Sequence, residues 1–117
     1  MADALTFHEA MRLKNALELA PGQVGIMVAL IESEQVDKSA LVRALRDAAS
    51  NTQGRETTDA SLRSTLHKMR QRLPKGVALH CTRSVRDLKV VENYYFDTAD
   101  RERLRAMARP AGLRAIA

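Results

Sequence analysis

Apolar side chains recur at helical spacing as far as residue 73, and at alternate positions beyond residue 76. Thr6 stands three residues before Glu9, the signature of a capping box, and Phe7, Ala10, Met11, Leu13, Leu17 and Ala20 follow as a stripe. The pattern predicts a first helix over 5–20. Pro21 ends it and suits the first turn of the next helix. That second helix is expected over 21–33, with Val24, Met27, Val28 and Ile31 on one face, and Gly22 and Gly25 lowering its propensity. A short turn at 34–36 leads to Asp37, a cap for a third helix to about residue 49 that carries Leu41, Leu45 and Ala48. Residues 50–58 have the composition of a loop. Thr58 or Asp59 then caps a fourth helix over 59–73, stopped by Pro74.

Pro74-Lys75-Gly76 is turn chemistry. Val77, Leu79 and Cys81 alternate with Ala78, His80 and Thr82, which predicts a strand with Cys81 buried. A charged hairpin tip is expected over 83–89 and a return strand over 89–96, where Val90, Val91, Tyr94, Tyr95 and Phe96 concentrate. Asp97 is placed to cap a last helix over 98–108, anchored by Leu104 and Met107 and ended by Pro110 and Gly112. The expected fold is mainly α with a small β-hairpin, one α+β domain spanning 1–117. It comprises an N-terminal helix (5–20), a three-helix-plus-hairpin core (21–96) and a C-terminal helix and tail (97–117). A length of 117 residues fits one such domain.

Charge is distributed unevenly over this frame. Residues 1–34 carry Arg12 and Lys14 against Asp3, Glu9, Glu18, Glu32 and Glu34. Residues 60–89 carry Arg63, Lys68, Arg70, Arg72, Lys75, Arg83, Arg86 and Lys89 against Asp87 alone. Such an imbalance is what a docked polyanion requires, although a solvated basic face would also produce it. On the fourth helix Leu62, Leu66, Met69 and Leu73 form one narrow apolar stripe. At about 100° per residue, Ser64, His67, Lys68 and Gln71 point away from it, with Arg63 and Arg70 on one flank and Arg72 and Thr65 on the other. No acidic residue follows Asp59 on this helix to form the usual i,i+4 pairs of a surface helix. Short or bidentate polar groups between long cations suit a major groove. Ser61, Ser64, Lys68 and Gln71 are the expected base contacts, and Arg63, His67, Arg70, Arg72 and Lys75 the expected backbone contacts. Arg83, Arg86 and Lys89 at the hairpin would reach the adjacent groove or backbone.

Other chemistries lack their residues. His8, His67, His80 and Cys81 do not have the paired spacing of a zinc site, so no metal and no cofactor is expected. Gly22-x-x-Gly25 is not followed by the Lys-Ser/Thr of a phosphate loop, and no nucleophile elbow or isolated carboxylate pair occurs, which argues against an enzyme. Cys81 is the single cysteine, the opening residues lack a signal-peptide pattern, and the longest apolar run, 26–31, is too short to span a bilayer. A cytoplasmic protein is expected.

Residues 62–73, Leu-Arg-Ser-Thr-Leu-His-Lys-Met-Arg-Gln-Arg-Leu, resemble the recognition helix of OmpR-type response-regulator effector domains, and Met69-Arg70-Gln71-Arg72-Leu73 is similar to that helix's Leu-Arg-x-Lys-Leu ending. The loop at 50–58 falls where such domains carry a transactivation loop, and Tyr94-Tyr95-Phe96 where their wing ends in an aromatic strand. Val91-Glu92-Asn93 replaces the family's glycine-containing wing motif, a helix is expected in place of its N-terminal sheet, and no receiver domain, hence no phosphoacceptor aspartate, is expected within these residues. The resemblance implies a divergent winged helix-turn-helix regulator in the bacterial nucleoid, with duplex DNA as its partner. A homodimer through the N- or C-terminal helix and a contact with RNA polymerase are further expectations. The alternative is a winged-helix adaptor that binds another regulator or the polymerase.

Overall fold

The computed structural model describes residues 4–48 and 59–109. Their elements run α1 (Phe7–Leu17), α2 (Pro21–Glu32), β1 (Val36–Asp37), α3 (Lys38–Ala48), α4 (Asp59–Arg70), β2 (His80–Arg86), β3 (Lys89–Tyr95) and α5 (Thr98–Ala108). The fold is mainly helical with one small antiparallel sheet. The expected loop at 50–58, the Thr58 cap and the Pro110/Gly112 stop lie outside the described residues.

The helix starts follow local chemistry. The Thr6 hydroxyl accepts from the Glu9 N–H at 3.2 Å while the Thr6 N–H donates to Glu9 Oε1 at 2.7 Å, the reciprocal capping box. Pro21 occupies the first turn of α2, and the Ala20 N–H donates to Gln23 Oε1 at 2.9 Å. Asp37 Oδ1 accepts from the Ala40 N–H at 2.8 Å and so caps α3. Asp97 stands at the N-cap of α5 without a capping hydrogen bond; its carboxylate lies 3.3 Å from His80 Nε2 instead.

α2 is the centre of the core: Val24, Ile26, Met27, Leu30 and Ile31 are all buried, on more faces than the single expected one. Around it pack Leu13 and Leu17 of α1, Leu41 and Leu45 of α3, Leu62, Leu66 and Met69 of α4, Val36, Tyr94 and Phe96 of the sheet region, and Leu104 and Ala108 of α5. Gly22 permits the close approach of α3, since a Cβ there would lie 2.6 Å from Leu45 Cδ1. Phe7, expected on the inner stripe of α1, is largely exposed, whereas Leu5 and Ala10 pack partly buried against the core and Leu13 and Leu17 are buried.

The terminal helices are fastened to each other and to α2. Arg109 forms a two-point ion pair with Glu9 and donates to the Ala4 carbonyl at 3.0 Å, while Arg12 donates to the Ala108 carbonyl at 2.6 Å. The Arg109 guanidinium holds the Glu9 carboxyl down at about 2, assisted by the Thr6 N–H and opposed by burial. At the C-terminal end of α2, Arg101 and Arg105 both donate to the Ile31 carbonyl, at 3.2 and 3.0 Å, satisfying an acceptor the helix leaves open. α1 and α5 thus complete the core of this chain with their apolar faces.

The sheet has strand order β1-β3-β2. β1, which begins where the sequence predicts a turn, pairs Val36 with Tyr94 and Asp37 with Asn93. β2 begins at His80, three residues later than the alternation predicts. Val77 and Leu79 are buried, but β3 ends at Tyr95, the register partner of His80, so the ladder has nothing to pair with upstream. The turn at 74–77 is closed by the Val77 N–H on the Pro74 carbonyl at 3.0 Å, and Gly76 takes φ +90°, a value glycine adopts without steric cost. The hairpin tip is narrower than the expected 83–89. Asp87 and Leu88, both at positive φ, reverse the chain, and Arg83–Arg86 belongs to the strand.

Candidate nucleic-acid interface

α4 presents its two faces cleanly. Leu62, Leu66 and Met69 are buried at spacings of four and three, and Leu73 packs half-buried in the turn that follows. Arg63, Ser64, His67, Lys68 and Arg70 are exposed. The helix ends at Arg70, earlier than the expected residue 73. The Arg72 and Leu73 N–H groups bond three residues back, to Met69 and Arg70, so the last turn tightens before Pro74.

The sequence-derived candidates divide on this surface. Arg63, Ser64, His67 and Lys68 share the outward face, and Gln71, just past the helix, places its amide nitrogen 3.4 Å from His67 Nε2. Ser61 is half-buried, and its carbonyl accepts from the Thr65 hydroxyl at 2.8 Å. Arg70 extends toward the approach to β2, with Nη2 3.5 Å from the Leu79 carbonyl. Arg72 turns to Glu18 at the end of α1, 3.8 Å away. Lys75 is exposed, and its carbonyl accepts from Arg103 Nη1 at 2.7 Å.

On the hairpin, Arg83 stands opposite Glu92 in the register, and Arg86 opposite Lys89. Cys81, expected to be buried, is exposed: it shares a face with its partner Tyr94, but β2 is the edge of the sheet, whereas Tyr94 on the central strand β3 is covered by the core. Tyr94 donates to Glu92 Oε2 at 3.1 Å; burial, then the neighbouring Cys81 and Glu92, push its hydroxyl up to about 12. His80 stacks on Tyr95 with ring centroids 5.1 Å apart.

Sequence reasoning missed a second basic helix face. Lys38, Ser39, Val42, Arg43 and Arg46 of α3 line a shallow cleft of about 360 Å³. A neighbouring cleft of about 260 Å³ is formed by Asp37, Lys38 and Ser39 with Lys89, Val90, Val91 and Glu92. Lys38 and Ser39 line both, so the basic face of α3 adjoins β3 through a charge-balanced cleft in which Lys38 Nζ lies 4.0 Å from Glu92 Oε1. Its signal was present: Arg43 and Arg46 lie three apart, outside the Leu41/Leu45 stripe, with only Asp47 as an acidic neighbour on that helix.

Chemically, the surface offers guanidinium and ammonium groups, hydroxyls, one amide and one imidazole, a donor-rich set suited to phosphate oxygens and base edges. No helix among the described residues is long and apolar enough to cross a membrane. Comparison with known proteins gave no matching family model, no matching curated protein and no matching solved structure.

Proposed function

We propose that the protein is a winged helix-turn-helix regulator of transcription that binds duplex DNA, with α4 in the major groove and the β2–β3 hairpin on the adjacent groove or backbone. The observation that carries this reading is the outward face of α4, where Arg63, Ser64, His67 and Lys68 are exposed together opposite a buried Leu62/Leu66/Met69 stripe. The element order supports it. Three helices, a short strand after the first of them, and a closing hairpin whose second strand lies between the other two give the order α2-β1-α3-α4-β2-β3, which is compatible with a winged helix. In this reading Ser64, Lys68 and Gln71 face base edges, and Arg63, Arg43, Arg46 and Lys89 meet phosphates. Arg72 contributes only after leaving Glu18. The nucleoid is the corresponding location.

Fluorescence anisotropy of a labelled mixed-sequence duplex tests the proposal. Wild type should bind at low salt, and Arg63→Ala/Lys68→Ala should weaken binding about tenfold or more. An absence of wild-type binding at low salt would refute it and favour the adaptor reading, which pull-downs with an acidic protein partner would then pursue.

A further inference from the structure

The hairpin tip combines features that are each unfavourable in isolation. Asp87 and Leu88 form a two-residue turn with φ of 50° and 66°, the geometry for which Asn-Gly or Asp-Gly is preferred. Leucine at a left-handed position crowds its Cβ against the following carbonyl, yet here it holds a side chain that is 99% exposed. Val85 and Val90, directly opposite each other one step below, are exposed as well. Between them and the turn, Arg86 and Lys89 are cross-strand partners, and like charges in that position repel. Neither meets a carboxylate among the described residues.

An apolar slot with anionic walls answers the exposed side chains and the paired cations together. The minor groove of duplex DNA has that chemistry once a base step opens, and proteins that enter it use apolar wedges between base pairs, flanked by cations on the phosphates. A negatively charged wall answers the Arg86/Lys89 pair, and the open base step takes Leu88, with Val85 and Val90 against the sugars. Resting on the reading of the protein as a duplex binder, we infer that Leu88 is a wedge that enters the minor groove, unstacks a base step and bends the DNA. The charge of the tip favours DNA over an apolar protein surface, whose walls would leave Arg86 and Lys89 uncompensated.

The test uses the full chain and a linear mixed-sequence duplex shorter than the roughly 150 bp persistence length, which ligase closes into a circle only when something bends it. Wild type, Leu88→Gly and Leu88→Lys are compared, each at a concentration that fully shifts the fragment in a mobility assay. Glycine suits the turn, so Leu88→Gly should keep the fold, and a thermal melt checks this. Leu88→Lys adds a cation while removing the apolar group, which separates attraction to phosphate from wedging. Wild type should raise circle yield roughly tenfold, and both variants at saturation should return it toward the protein-free level. Equal circle yields for wild type and both variants, or a bound wild type that closes no circles, would overturn the wedge while leaving duplex binding in place. A wild type that fails to shift the fragment at low salt would overturn the duplex-binding reading and the wedge together.

Discussion

The Glu9–Arg109 pair allows a prediction whose size follows from the structure. Both side chains are mostly buried, 14% and 21% exposed, and they join the first and last helices, so their contribution is to global stability. Glu9 has its carboxyl lowered from 4.5 to about 2, with the hydrogen bond from Arg109 as the largest cause. A shift of that size corresponds to about 3 kcal/mol of preference for the ionised carboxylate in the folded state, and partial solvent access reduces the net effect to about 2 kcal/mol. Because the folded value is depressed, this stability is fully present above the unfolded value and is lost as pH falls from about 5 toward 2. Arg109→Ala should therefore lower stability at pH 7 by about 2 kcal/mol, or about 8 °C in Tm for a domain of this size. At pH 3 the electrostatic part of the difference should be less than half as large. Urea denaturation of wild type and Arg109→Ala across pH 3–7 measures both quantities, and Glu9→Gln should flatten the pH dependence in the same way. A difference between wild type and Arg109→Ala that stays constant over that range would refute the reasoning, since contacts such as the one to the Ala4 carbonyl carry no pH dependence of this kind.

Two further predictions separate the inner and outer faces of the candidate interface. Leu66, 2% exposed, anchors α4, and Leu66→Ala should cost about 2–5 kcal/mol in urea denaturation; a loss under about 1 kcal/mol would mean that α4 is not held by this stripe. The Arg72–Glu18 pair is 52% and 81% exposed, so Arg72→Ala should change Tm by less than about 2 °C, and a larger drop would show that the contact is structural rather than incidental.

The helices were legible because each is written twice in the sequence, once as an apolar stripe and again as a boundary: Thr6 with Glu9, Pro21, Asp37 and Pro74. The parts that were not legible depend on tertiary neighbours. β1 has two residues and so no period of its own; only its pairing with Asn93 and Tyr94 makes it a strand. The alternation of Val77 and Leu79 records burial, and burial alone does not distinguish a strand from an extended approach to one. Cys81 occupies an apolar slot in the pattern, yet it stays exposed because β2 is the edge of the sheet, while its partner Tyr94 on the central strand is buried. Among site residues, Arg63, Ser64, His67 and Lys68 could be grouped from helical angles alone. The turn of Arg72 toward Glu18 requires knowing where α1 ends, and the cations of α3 lie along 38–48, outside the stretch 60–89 where basic residues are concentrated.

The central claim is that α3, α4 and the hairpin form one polyanion-binding surface, and the salt dependence of duplex affinity measures it most directly. If Arg43, Arg46, Arg63, Arg86 and Lys89 each neutralise one phosphate, log K against log salt should fall with a slope of about −4.5. Arg43→Ala/Arg46→Ala should reduce it to about −2.7 and Arg63→Ala/Lys68→Ala to about −3.6. A wild-type slope near zero, or a slope unmoved by either double variant, would contradict the account.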